Sequence, residues 1–281
     1  MSFLCDGVPG VMCYVPGQGD FRADIWTQLA RAAGLTEFNK MTLPEWAPQL
    51  YPLMMILALS TGVWLKSRQD PDERLEPLER FWIGMSAFVG AMLAARLPFV
   101  VFGIYEGQDF YGLFLSGKTI LAGLAGGYLA VELTKKLLGV TVRTGDSFVV
   151  PVAGSIAVGR LSCFVGGCCY GVPASQPWAV IFPNVDTVPR HPAQLYEFLF
   201  HSLAAVVLHV LTKRGLFRTK LFRMYLIAYC VYRFSSEYLR PEARLVWGLT
   251  AYQWSAALLS IVFAYLLFRN PARDAGLGVR G

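Results

Sequence analysis

Four charged residues stand where an apolar chain can least afford them: Arg160, Glu197, Arg233 and Glu237. Each lies within or at the edge of a run long and apolar enough to cross a bilayer. Ionised groups at such depth are costly and persist mainly where they face a cavity or a partner. Arg233 and Glu237 are four apart and Arg240 follows three later, a spacing that places all three on one helical face. A buried ion pair that fixes helix packing is the plain reading of one such pair. Arg96 and Arg160 add two further guanidiniums at comparable depth, so cations outnumber carboxylates and leave room for an anion. Phosphate is the natural guest, because guanidinium binds it bidentately, and in a membrane its simplest source is a phospholipid headgroup. Glu132 is of another kind. It precedes Lys135 and Lys136, and an ordinary i,i+3 or i,i+4 pair accounts for it.

Two further stretches carry polar chemistry. Gly159 to Gly171 puts Arg160, three cysteines and several glycines at the end of an apolar segment, which reads as a polar pocket that backbone or ligand approaches closely. His191-Pro192-Ala193-Gln194-Leu195-Tyr196-Glu197 opens a helix: Pro192 suits a first turn, and Gln194 and Glu197 share a face. Capping and surface roles are the plain reading for His191 and Glu197 without more context. Of the six cysteines, Cys5, Cys13, Cys163, Cys168, Cys169 and Cys230, none forms a CxxC, so the usual redox and zinc-knuckle spacings are missing. Zinc wants four N or S ligands; Cys163, Cys168, Cys169 and His191 can be assembled only on paper, and no metal or cofactor is assigned. A bridge from Cys5 or Cys13 to Cys168 or Cys169 is the stronger expectation in an oxidising compartment. Cys230 reads as small apolar packing.

These residues need a membrane scaffold. The chain is 55% hydrophobic and 16% charged, well under the roughly 25% charge of soluble domains. The expected fold is all-α and polytopic, with about seven spans near 46–65, 81–105, 112–133, 148–164, 193–211, 221–239 and 249–268. Gly123 and Gly127 in the third form a GxxxG pair, a weak sign of close helix contact. The partition expected is an N-terminal extracytoplasmic region over 1–46, one transmembrane domain over 47–270 and a cytoplasmic tail over 271–281. Residues 24–33 form a candidate surface helix. No cleavable signal is visible at the N-terminus. The net charge of +6 resides mostly in alternate loops, and basic loops stay in the cytoplasm. The N-terminus is therefore expected outside and the C-terminus inside. No basic stripe interleaved with aromatics points to nucleic acid.

Taken together, Gly159-Arg160-Leu161, Phe164, Gly171, Arg190-His191-Pro192, Gln194-Leu195-Tyr196-Glu197 and the Arg233, Glu237, Arg240 set resemble the phosphatidylglycerol–prolipoprotein diacylglyceryl transferases. The resemblance covers about 49–268, with Tyr51 matching a tyrosine of the first span. It implies seven transmembrane helices in a bacterial inner membrane and a site open to the outer leaflet. It implies phosphatidylglycerol, a membrane lipid, as donor and the lipobox cysteine of a preprolipoprotein as acceptor. Arg160 and Arg233 would then bind phosphate and stabilise the leaving group, with Glu197 and Glu237 orienting them. Tyr51 and Gly171 would shape the pocket, and Arg96, Gly123, His191, Gln194, Tyr196 and Arg240 would complete the substrate surround.

Three positions depart from that pattern. The family's third span usually carries His-Gly-Gly, and that histidine has been proposed as the base; here Leu121 takes its place. The signature's usual asparagine is Cys163 and its usual acidic residue is Cys168. Either another group, such as Glu197 or His191, accepts the thiol proton, or this is a branch with another acceptor or none. A membrane thiol–disulfide oxidoreductase using Cys168 or Cys169 is the alternative of a different class, and the missing CxxC counts against it.

Overall fold

The computed structural model describes residues 41–69, 75–98, 100, 119–142, 144–242, 244 and 246–268. Within them are seven α-helices: α1 Tyr51–Ser67, α2 Pro77–Ala94, α3 Ile120–Leu137, α4 Gly145–Val165, α5 Ala193–Lys213, α6 Leu221–Ser236 and α7 Ala251–Phe268. The 24–33 helix, the partners Cys5 and Cys13 and the 271–281 tail lie outside the described residues, as do the expected end of the second span and start of the third. Short 3₁₀ turns at Ala47–Leu50, Glu237–Leu239 and Val246–Gly248 join or extend helices.

Among the described residues, four stretches are long and apolar enough to cross a membrane: Ala47–Ser67, Gly145–Val165, Ala193–Lys213 and Ala251–Phe268. In α1 only Ala58 is buried, while Leu53, Ile56, Val63 and Trp64 are all more than half exposed. A helix this apolar and this bare needs lipid around it.

The described chain forms two compact units. The first holds residues up to Ser67, Pro151–Val206 and Tyr238–Glu242. In it α1 crosses the C-terminal part of α4 closely: a Cβ on Gly62 would lie 2.1 Å from Ser155 Oγ. The loop after α4 is better ordered than its proline content implies. Two strands, β1 Met41–Thr42 and β2 Val180–Ile181, pair in parallel, an addition to the all-α expectation. Leu43, Ala47, Phe164, Val180 and Phe182 form a small core beneath them. Val180 and Arg190 exchange both backbone hydrogen bonds, at 3.0 and 2.9 Å, which returns the loop to the start of α5.

The second unit holds residues 68–150, Val207–Glu237 and 243–281 so far as they are described. Helix α2 begins on a capping box between Glu76 and Glu79 with Pro77 in its first turn, the local signals that start a helix there. Thr119 Oγ1 caps α3 by accepting from Ala122 N. Helices α2 and α3 pack along their lengths on small residues. A Cβ on Gly126 would fall 2.0 Å from Ala94 Cβ, and one on Gly127 3.1 Å from Ala87 O. The GxxxG pair therefore does mark a close helix contact, through Gly123 as well as Gly127. Lys135 pairs with Glu132 at 3.0 Å, as its spacing predicts. Asp146 accepts the backbone N–H groups of Thr219 and Leu221 at the start of α6, and α6 packs against α7.

Candidate active site

The last two turns of α4 deliver Arg160 and the first turns of α5 deliver Glu197; Arg240 follows the Glu237–Leu239 turn. The three meet in the first unit. Arg160 Nη2 donates to Glu197 Oε1 at 2.7 Å, and Arg240 Nη2 donates to Glu197 Oε2 at 3.0 Å. All three are buried, Glu197 completely. One carboxylate thus holds two guanidiniums in fixed orientation, and the group keeps an excess of positive charge. At this depth charges are weakly screened, so an anion is strongly favoured there.

The backbone around this group is pinned from several directions. Arg240 Nη1 donates to Cys169 O at 2.6 Å, and Gln194 Nε2 donates to Cys168 O at 2.6 Å. Gly171 N donates to His191 O. A Cβ on Gly171 would come within 2.7 Å of both His191 Cβ and Leu239 O, so only glycine lets these strands of chain meet. Tyr51 lies against Gly166, where a Cβ would be 2.8 Å from its ring. His191 Nδ1 is 3.1 Å from Tyr196 Oη, and Tyr196 Oη accepts from Trp178 Nε1 at 2.8 Å. Burial lowers the His191 pKa from its ordinary value, so the ring is neutral at pH 7. The sequence-expected residues Tyr51, Arg160, Gly171, His191, Gln194, Tyr196, Glu197 and Arg240 all belong to this unit.

Arg233 and Glu237 form a second buried group, in the other unit. Arg233 Nη2 is 2.7 Å from Glu237 Oε2, and its guanidinium lies 4.8 Å over the Tyr252 ring. Thr250 Oγ1 donates to Glu237 Oε1 at 3.0 Å. The expectation that Arg240 shares a helical face with this pair does not hold. Helix α6 ends at Ser236, the chain tightens into a 3₁₀ turn, and Arg240 pairs with Glu197 instead. Arg96 lies half-buried in the turn after α2, and Gly123 serves the α2–α3 contact.

Three polar residues went unread in the sequence. His201 is fully buried, with Nε2 3.9 Å from Glu197 Oε1; its i+4 spacing from Glu197 was the available signal. Thr250 and Gln253 form a reciprocal cap: Thr250 N donates to Gln253 Oε1 and Gln253 N to Thr250 Oγ1. That is a Thr-x-x-Gln capping box, legible as such.

The family model described as prolipoprotein diacylglyceryl transferase matches residues 40–269. The chain belongs to this family. It is therefore a multi-pass membrane protein and a transferase-family enzyme. Among its relatives is the phosphatidylglycerol–prolipoprotein diacylglyceryl transferase of Zymomonas mobilis, 30% identical over a 254-residue alignment that covers 81% of this chain and 87% of that one. The proteins of the same name from Methylococcus capsulatus, 28% identical over 216 residues, and Pseudomonas aeruginosa, 30% over 222, each cover 73% of this chain and 81% and 80% of their own.

Three positions depart from the diacylglyceryl transferase pattern, Leu121 in the second unit and Cys163 and Cys168 in the first. Leu121 is buried in α3 and has no proton to exchange. Cys163, Cys168 and Cys169 bring their Sγ atoms to within 4.8 Å of one another, and Arg160 Nη1 is 3.9 Å from Cys163 Sγ. The neighbouring Cys163 and Cys168 thiols, helped by the Arg160 and Arg240 charges, hold the Cys169 thiol well below its ordinary range, and the neighbouring thiols with partial burial raise Cys168, whose thiol donates to Cys163 O at 3.7 Å.

Proposed function

We propose that this diacylglyceryl transferase family enzyme moves the diacylglyceryl group of phosphatidylglycerol onto the lipobox cysteine of a preprolipoprotein. The carrying observation is Glu197 shared between Arg160 and Arg240, all three buried. Such a group is built to hold an anion, and it costs no reorganisation when charge develops on a departing phosphate. The acceptor thiolate attacks C3 of the glycerol, the C3–O bond breaks, and its electrons leave on the phosphate oxygen of glycerol phosphate. Arg160 and Arg240 neutralise that oxygen. Arg233, held by Glu237, contributes to leaving-group stabilisation, as the family resemblance implies. Tyr51, Gly171, His191, Gln194 and Tyr196 shape the donor's surroundings.

The seven helices span the membrane as one domain over 47–270, N-terminus outside and C-terminus in the cytoplasm. The site then opens to the outer leaflet of a bacterial inner membrane, where a secreted lipobox arrives. The loop charges support this orientation. Expression in a bacterium depleted of its own diacylglyceryl transferase tests the reading: growth and lipoprotein lipidation should return with this chain and not with Arg160→Ala. Failure of the unaltered, membrane-inserted chain to restore lipidation would count against the acceptor named here.

A further inference from the structure

The three-cysteine cluster has no role in the transfer described so far, yet the chain is bent to build it. Adjacent side chains such as those of Cys168 and Cys169 ordinarily diverge. Here Gly167 has φ of 64° and Cys169 φ of 58°. Both lie in the left-handed region, which is free for Gly167 but costs a non-glycine residue such as Cys169 of order 1 kcal/mol and recurs at functional sites. The bend is locked: Cys168 N donates to Cys163 O at 3.1 Å, and the Cys168 and Cys169 carbonyls are held by Gln194 and Arg240.

We propose that Cys163, Cys168 and Cys169 bind one zinc ion as thiolates, and that its fourth position takes the acceptor thiol. Zinc–sulfur bonds of about 2.3 Å in a tetrahedron place sulfurs about 3.8 Å apart. The cluster, with no pair beyond 4.8 Å, reaches that by small side-chain rotations. Three protein ligands and one open position are the arrangement of catalytic rather than structural zinc. The Arg160 guanidinium beside Cys163 favours thiolate ligands. His191, the paper candidate for a fourth ligand, is engaged with Tyr196 instead.

This deepens the transferase reading and rests on it. On binding zinc the acceptor thiol gives its proton to water, as coordinated thiols do. The zinc-bound sulfur forms the bond to C3 while the C3–O electrons leave with glycerol phosphate. The thioether product is uncharged and leaves the metal, which keeps its oxidation state throughout. Zinc would thus do the work of the base that Leu121 cannot do.

The test uses untagged, detergent-purified full-length protein kept reduced. Metal analysis should find about one zinc per chain, falling at least tenfold in C163S/C168S/C169S. Cobalt(II) substituted into the unaltered chain should give sulfur-to-cobalt charge-transfer absorption and tetrahedral visible bands, and a lipobox peptide should shift those bands while its Cys→Ser form does not. The cobalt readout needs no variant to fold. Zinc at the level of the triple variant, cobalt without thiolate absorption, or a native mass showing two of the three thiols as a disulfide would overturn the proposal. The outcomes separate it from the function it rests on. A peptide-responsive cobalt site without lipid transfer supports the metal site and rejects the transferase reading. Undiminished transfer by metal-free protein rejects the zinc role and leaves the transferase reading standing.

Discussion

At the scale of single residues, the account turns on Glu197. Its two oxygens divide Arg160 and Arg240 between them, and its removal would leave two buried guanidiniums facing each other. Breaking a buried pair by deleting one partner costs roughly 3–5 kcal/mol. Glu197→Ala should therefore lower the thermal midpoint markedly as well as abolish transfer. Arg160→Lys keeps the charge but not the planar fork, and should lose at least about tenfold in transfer rate while unfolding near the parent temperature. Single-turnover rates and melting curves on the same preparations check both. His191 gives a pH signature. Its pKa is lowered by burial, so the unfolded chain binds this proton more readily than the folded one. The stability that neutral His191 contributes is full above about pH 6.5 and is lost as the pH falls below it. Melting midpoints should drop on the acid side of that value, with a shallower drop in His191→Gln; an unchanged slope would show that another group controls it.

At the scale of elements, the α2–α3 contact makes the most direct demand. Gly90, Gly126 and Ala94 leave no room for a larger side chain, and overpacking such a contact costs about 1–3 kcal/mol. Gly126→Leu should lower the melting midpoint in detergent, whereas Gly84→Leu, where a Cβ meets nothing within 4 Å, should not. The helices themselves were legible from their apolar runs, and most described ends fall within a few residues of expectation. Glu132 with Lys135, and Arg233 with Glu237, were legible because helical spacing alone brings them together. The Arg240–Glu197 pair was not, because it spans 43 positions and depends on α6 ending at Ser236. No periodicity announces that end; the chain simply tightens before Arg240. The parallel β1–β2 pair was hidden for the same reason, since two residues per strand carry no alternation to read. The cysteine cluster was visible as composition only. Its convergence needs the left-handed turn at Cys169, which a cysteine does not advertise as a glycine would.

At the scale of the whole molecule, the proposed reaction requires lipid access and a defined orientation. The bare apolar surface of α1 supplies a lipid-facing wall, and the loop charges predict a cytoplasmic C-terminus. A reporter enzyme active only in the cytoplasm, fused after residue 281, should be active, and an export-dependent reporter at the same point should be silent; the reverse pattern would turn the proposed topology over. The measurement that tests the central claim most directly is single-turnover transfer in proteoliposomes. Purified protein is mixed with phosphatidylglycerol labelled in its terminal glycerol and with a lipobox peptide, beside Arg160→Ala. The account predicts labelled glycerol phosphate and a thioether-linked diacylglyceryl peptide in equal amounts, both absent with the variant. Release of label without the peptide thioether, or transfer undiminished in Arg160→Ala, would contradict it.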